Sequence, residues 1–254
     1  MNEDLSRESR DIELFDSIAS HYSEKDKLPA SRVARRARLL QSLRRIELSE
    51  AVSILELGCG AGWSAEYLDG IYTEFCGVDY SASLIDHAKA ENSRQNAEFR
   101  VGNIKQLDIG KKYDVVLMVG VLHHVDDMPA ALCNACNALK PGGWLVVNEP
   151  QGGNPFIQIA RWLRKRLDSS YSADQINFRR GEIERLLLGA KLQSVATYPQ
   201  GYLSTPFAEV ALPLQALAKV TSKFACRLDR ILESSMPRSP LLSWNIVAVG
   251  QKEC

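Results

Sequence analysis

The 254-residue chain has no excess of charge of either sign: 31 Lys+Arg face 31 Asp+Glu, for a formal net charge of zero. A dedicated nucleic-acid binder carries a basic surplus to neutralise phosphates, so nucleic acid is not an expected partner. No apolar run approaches the roughly 20 residues a membrane span needs. The opening MNEDLSRESRDIELF is polar and acidic and lacks the apolar stretch of a secretory signal, which gives the expectation of a cytoplasmic protein. The six cysteines (Cys59, Cys76, Cys133, Cys136, Cys226 and Cys254) are not spaced as a disulfide framework, and reduced thiols are expected. Cys133 and Cys136 form a C-x-x-C inside PAALCNACNALK, which reads as a helix carrying two small apolar residues on one face. With no second pair or spaced histidine, no metal is expected. A Walker-type Gly-Lys-Ser/Thr sequence is also missing, which removes ATP hydrolysis. No internal repeat or low-complexity segment is visible.

What is present is ordinary globular usage, 45% hydrophobic and 24% charged residues, in a chain long enough to bury a sizeable core. Residues 10–24 read as a helix and turn, and SRVARRARLLQSLRRIEL as a longer helix with Val33, Ala37, Leu40 and Leu43 at helical spacing and its arginines on a solvated face. From there the rhythm becomes strand, helix, strand. SILEL, EFCGVDY, AEFRVG, YDVVLMVG and WLVVNE read as five strands, and KLQSVATYP and NIVAVGQK as two late ones. AGWSAEYLD, SASLIDHAKAENSRQ, DMPAALCNACNALK and GEIERLLLGA read as the intervening helices. Ser81 or Ser83 is placed to cap the second of these, and Pro141-Gly142-Gly143 to stop the third. Such alternation implies an α/β fold: a doubly wound, Rossmann-like, seven-stranded and mostly parallel sheet with helices on both faces. Residues 1–48 would form an N-terminal helical segment over the site and 49–254 the core. Residues 150–180 and 200–243 interrupt the alternation and are expected to be lid insertions.

The informative segment is Glu56-Leu57-Gly58-Cys59-Gly60-Ala61-Gly62, directly after the first strand and before a helix. Glycines let the backbone turn sharply beneath a ligand, and a helix N-terminus offers free N–H groups. A dinucleotide fingerprint is G-x-G-x-x-G, whereas here the third glycine falls one position early and Trp63 stands in the expected slot. Asp79 ends the second strand, where a carboxylate can accept both hydroxyls of a ribose. NAD and S-adenosylmethionine (SAM) sites share that logic, and the glycine spacing favours SAM.

Ile54-Leu55-Glu56-Leu57-Gly58-Cys59-Gly60-Ala61-Gly62 resembles motif I of the class I SAM-dependent methyltransferases. Gly77-Val78-Asp79-Tyr80-Ser81 resembles their acidic-loop motif. Tyr113-Asp114-Val115-Val116 through Val121-Leu122-His123-His124-Val125 is similar to the fourth-strand motif, and Leu139-Lys140-Pro141-Gly142-Gly143 to the approach to the fifth. The four occur in family order over roughly residues 50–150. The resemblance implies SAM as cofactor, with Gly58, Cys59, Gly60 and Gly62 under its methionine part and Glu56 fixing the loop. It implies Asp79 at the ribose hydroxyls, Tyr80, Asn103 and Ile104 at the adenine, and Val119 and Gly120 near the methionine amine. Phe15-Asp16 and Tyr22 resemble the N-terminal element of quinone-biosynthesis-type methyltransferases, whose tyrosine closes over SAM.

Methyl transfer is an in-line displacement in which positioning supplies much of the catalysis, and a base is needed only where the acceptor loses a proton. His123 and His124 are the first candidates for that base. In an extended segment adjacent side chains point opposite ways, so one of the two at most would face the acceptor. Glu149, ending the fifth strand, is the second candidate, and Asp126 and Asp127 read as helix caps. No DPPY- or NPPY-like segment follows the fourth strand, which speaks against an adenine or glutamine amino group as acceptor. PFIQIARWLRKRL, at residues 155–167, has the composition of a helix able to lie on an anionic membrane surface, and Phe207, Leu214, Leu217 and Phe224 are candidates to line a pocket. A greasy lid implies a small, lipid-like or otherwise apolar acceptor, methylated at oxygen or carbon. The alternatives are a SAM-binding protein without turnover and an NAD-dependent oxidoreductase, for which no Tyr-x-x-x-Lys or similar hydride-site pair is found.

Overall fold

In the computed structural model the apolar runs become a single seven-stranded sheet, described over residues 7–108, 110–155, 157–159, 176–235 and 242–253. The elements in chain order are α1 (Arg7–Lys27), α2 (Pro29–Leu43), β1 (Ser53–Leu57), α3 (Trp63–Tyr67), β2 (Glu74–Asp79), α4 (Ala82–Glu91), β3 (Ala97–Val101) and β4 (Tyr113–Val119). After a 3-10 turn (Leu122–His124) come α5 (Met128–Asn137), β5 (Leu139–Pro150), α6 (Arg180–Gly189), β6 (Gln193–Gln200), α7 (Thr205–Glu209), α8 (Gln215–Ser235) and β7 (Asn245–Gln251). Strand order is β3-β2-β1-β4-β5-β7-β6. β1 to β5 are mutually parallel, while β7 runs antiparallel to both of its neighbours.

Residue parity along each strand builds the two halves of the core. Leu55, Leu57, Val116, Met118, Leu145, Val147, Ile246 and Ala248 pack on one face with α5 and α6. Their neighbours Ile54, Val115, Leu117, Val146, Val247 and Val249 pack on the other, against α2, α3 and α4. A period of two in fully apolar strands is what a sheet covered on both faces requires. The helices start where short polar side chains offer oxygens to free amides: Ser81 Oγ accepts from Leu84 N (3.1 Å) and Asp127 Oδ1 from Ala130 N (3.0 Å).

Three local expectations are corrected. The helix before the fifth strand ends at Asn137, not at the Pro141-Gly142-Gly143 turn, because Ala138 O already accepts from Tyr113 N (2.8 Å) and draws the chain into β5. The arginines of α2 do not all lie on a solvated face. Arg35 pairs with buried Asp26 of α1 (2.9 Å), and Arg38, 12% exposed, reaches Asn148 of β5, Asn245 of β7 and Glu209 of α7, because α1, the sheet and α7 all meet α2. Finally, Leu214, Leu217 and Phe224 are exposed rather than lining a pocket, since α8 turns its small residues towards α2. Of the basic segment 155–167, Phe156 and residues 160–167 lie outside the described residues.

Gly62 closes the glycine loop with φ +75°, and a Cβ there would stand 2.6 Å from Phe99 Cε1 and 2.8 Å from Ala88 Cβ. Left-handed backbone and buried overlap act together, so Gly62→Ala is expected to lower unfolding stability by about 1–3 kcal/mol, read as a shifted midpoint in urea denaturation.

Candidate active site

Strand order reverses between β1 and β4: β2 and β3 extend the sheet one way from β1, and β5 extends it the other way from β4. At such a reversal the connections leave in opposite directions and open a crevice beyond the carboxyl ends of the strands. The glycine loop fills the β1 side of it. Gly58 N and Cys59 N donate to Val78 O (2.7 and 3.1 Å), and Gly60 N donates to Asp79 Oδ2 (2.8 Å), tying the loop to the end of β2. Asp79 Oδ1 accepts from Ser81 N (3.0 Å). Burial pushes the Asp79 carboxyl above its usual value, opposed by these two amide bonds, while neighbouring Asp16 raises it further and His124 lowers it.

The resulting cleft encloses about 720 Å³ of space, open solvent at its mouth included. Of the residues expected there, Gly58, Gly60, Asp79, Tyr80, Ile104, Val119, Gly120 and His124 line it. Cys59 turns inward against Gly77, and Gly62 packs under the loop beside Phe99. Asn103 stands behind Tyr80, whose hydroxyl donates to Asn103 Oδ1 (2.5 Å), an oxygen that also accepts from Lys105 N (2.8 Å). Tyr22 lies in α1, but its side chain is outside the described residues. Unforeseen contributors are Asp11 and Ile12 from α1, together with Ser81, Leu84, Val121 and Val125. Asp11, Ile12, Phe15 and Ala19 follow helical spacing along one side of α1, a pattern that could have marked the covering face.

The histidine pair departs from expectation. Leu122–His124 is a 3-10 turn, not extended chain, so the two rings lie on adjacent sides with centroids 4.0 Å apart. His123 Nδ1 is 2.6 Å from Glu149 Oε2, and Glu149 Oε1 accepts from Val121 N (2.8 Å) and Leu122 N (2.7 Å). The buried Glu149 carboxylate is thus engaged in fixing the turn. Burial, assisted by His124, holds the His123 imidazole below its ordinary range. His124 instead faces the cleft, its Nδ1 2.7 Å from Asp11 Oδ2 and its ring edge-on to Phe15 at 5.2 Å. Ser81 Oγ donates to Asp16, a second tie between α1 and the rim. No group of three or more potential metal-ligating side chains occurs among the described residues.

Comparison with known proteins agrees with this geometry. A methyltransferase-domain family matches residues 55–147. The ubiquinone biosynthesis O-methyltransferase of Bradyrhizobium sp. (strain ORS 278) is 38% identical over 97 residues, 37% of this chain and 38% of that protein. That of Nitrobacter winogradskyi is 33% identical over 110 residues, 42% of each. The chain therefore spans less than half the length of these curated relatives. Among solved structures, a SAM-dependent methyltransferase from Thermotoga maritima superposes with a TM-score of 0.64 at 18% identity, covering 95% of this chain and 99% of that one. At such identity the likeness carries the fold.

One buried acid beneath the loop makes a testable demand. Glu56, 3% exposed, accepts from Ser64 Oγ (2.7 Å), and its Oε2 has no hydrogen-bond partner among the described residues. Burial pushes its carboxyl up to about 8, with Ser64 opposing and Asp79 adding to the rise. The folded protein thus keeps a proton that the unfolded chain releases near 4.5, so this group's contribution to stability is complete below 4.5 and is lost as pH rises through about 8. Glu56→Gln is expected to remove that loss, giving an advantage over wild type that grows across this window to a few kcal/mol, measured by denaturation at several pH values.

Proposed function

We propose that this chain, whose residues 55–147 match a methyltransferase-domain family, is a class I SAM-dependent methyltransferase that transfers the methyl group of SAM to a hydroxyl oxygen of a small, apolar or amphiphilic acceptor. The observation that carries this reading is the sharing of one cleft by the glycine loop, Asp79 and an Asp11-paired His124. The O-methyltransferase names of the relatives support oxygen as the acceptor atom. Ile12, Phe15, Val121 and Val125 support an acceptor with apolar surface.

The residues present suit the cofactor. Asp79 spends one lone pair of each oxygen on a backbone amide and keeps others for ribose hydroxyls. Ile104 and Leu84 give the adenine an apolar wall, and Tyr80 flanks it with Asn103 steadying the phenol. Gly58, Gly60 and Gly120 let main chain approach the methionine part, while Glu56, buried beneath the loop with no hydrogen-bond partner for its Oε2 among the described residues, keeps a polar atom in reserve there. SAM, when bound, supplies a methyl group on a cationic sulfonium whose sulfur leaves as a neutral thioether.

The chain's own contribution is orientation, exclusion of water and one proton transfer. A proton on His124 Nδ1, held by Asp11 Oδ2, leaves the Nε2 lone pair to take the acceptor's hydroxyl proton as the oxygen attacks. Glu149 holds the turn and His123 as positioning residues. Helix α1 walls the cleft with Asp11, Ile12 and Phe15 and so screens the bound cofactor and acceptor from water.

The test is transfer of labelled methyl from SAM to a panel of phenols and of matched anilines and thiols. Transfer to phenols is expected, with His124→Ala lowering kcat by about 10²–10⁴-fold while KM for SAM changes little. Asp11→Asn, which keeps the imidazole but loosens it, is expected to cost about 10–100-fold. An unchanged kcat in His124→Ala, or transfer confined to amines or thiols, would remove this proton-transfer scheme.

A further inference from the structure

Helix α8 presents two unlike surfaces in opposite directions. Ala218, Ser222, Ala225, Asp229 and Glu233 recur every three or four residues and are buried where α8 crosses α2. Both acids of the helix are used there. Asp229 accepts from Leu203 N (2.8 Å), Ser204 N (3.0 Å) and Ser204 Oγ (2.5 Å), and Glu233 accepts from Gly201 N (3.0 Å). At 3.6 residues per turn the opposite side carries Leu217, Val220, Phe224 and Ile231, which are 60–63% exposed and form one stripe, with Leu214 (76%) just ahead of it. Lys219, Lys223, Arg227 and Arg230 run along one flank of the stripe, all exposed and without an ion pair among the described residues. The outward face of α8 therefore has four cations, an apolar stripe and no anion.

Scattered exposed apolar residues need no explanation, but a continuous stripe on one helix marks a surface that meets something. The charge selects what it meets. In an antiparallel symmetric pair the same face would contact itself and bring two cationic rows together, and in a parallel pair each row would meet a flank with no anion, the helix's acids being locked on the far side. An anionic lipid surface satisfies both features: the apolar stripe enters the boundary between headgroups and acyl chains, and the flanking cations meet lipid phosphates. Contact of this kind is interfacial, since no helix among the described residues is long and apolar enough to cross a membrane. We infer that α8 seats the protein on an anionic membrane surface through Phe224 and its stripe, with Lys219, Lys223, Arg227 and Arg230 as electrostatic anchors. This goes beyond methyl transfer and does not depend on it, because lipid contact needs neither SAM nor turnover.

The experiment is co-sedimentation of the whole protein with vesicles of phosphatidylcholine alone and of phosphatidylcholine mixed with phosphatidylglycerol, at low and high salt. Three double variants are compared: Phe224→Gln/Ile231→Gln, Lys223→Ala/Arg227→Ala and, as a control in the other basic segment, Arg164→Ala/Lys165→Ala. The α8 substitutions fall on exposed side chains, and a melting curve like that of wild type shows that each variant is folded. Wild type is expected to bind the phosphatidylglycerol vesicles and to release with salt, and each α8 variant to lose about tenfold or more in partition. Indifference to phosphatidylglycerol, absence of binding, or loss only in the 164/165 control would overturn the inference. So would a dimer in light scattering that Phe224→Gln/Ile231→Gln splits, which would give the stripe to a second copy.

Discussion

The bond from the Gly60 amide to the Asp79 carboxylate is the constraint on which the rest of the site depends. It fastens a loop at the end of one strand to a side chain at the end of the next, and it does so where strand order reverses. The loop cannot shift without giving up this bond and the two from Gly58 and Cys59 to Val78 O. Asp79 in turn is held at a fixed angle by the same bond and by Ser81 N, so a carboxylate raised by burial is kept aimed into the cleft. Hydrogen bonds to a charged acceptor are the stronger kind, and a buried acid that lost them would carry the full cost of its desolvation.

A second set of contacts reaches the cleft from outside the sheet. α1 contributes Asp11 to His124 and accepts a hydrogen bond from Ser81 through Asp16. On the inner side, Glu149 binds the two amides that precede His123 and then His123 itself. The histidine turn is thus gripped between the end of β5 and a helix some 110 residues earlier in the chain. α2, beneath α7 and α8, is tied to the sheet by Arg38 through Asn148 and Asn245. α2 is thereby held to α7 and α8 on one side and to the sheet on the other.

The sheet was legible in the sequence because its strands are short, apolar and separated by helical stretches, and the glycine loop because few backbones need glycine at that spacing. Gly58, Asp79 and Gly120 occupy the cleft as the motif order suggests. Long-range pairings were not legible. Nothing local marks Asp11 as a partner for His124, and the arginines of α2 look solvated until Asp26 of α1 and Glu209 of α7 are brought against Arg35 and Arg38. The 3-10 turn at Leu122–His124 was missed because its cause is Glu149, 25 or more residues away in the chain, which gathers its amides. Leu214, Leu217 and Phe224 read as pocket-lining residues by composition alone, whereas the burial of Ala218, Ser222 and Ala225 decides which way the helix faces.

Calorimetric titration of the wild-type chain and Asp79→Ala with S-adenosylhomocysteine and, separately, with NAD tests the central claim most directly. The structure predicts micromolar binding of S-adenosylhomocysteine by wild type, about −8 kcal/mol, strongly reduced in the variant, and no comparable heat with NAD. Binding of NAD in preference to S-adenosylhomocysteine, or equal affinity in wild type and Asp79→Ala, would contradict the assignment of this cleft.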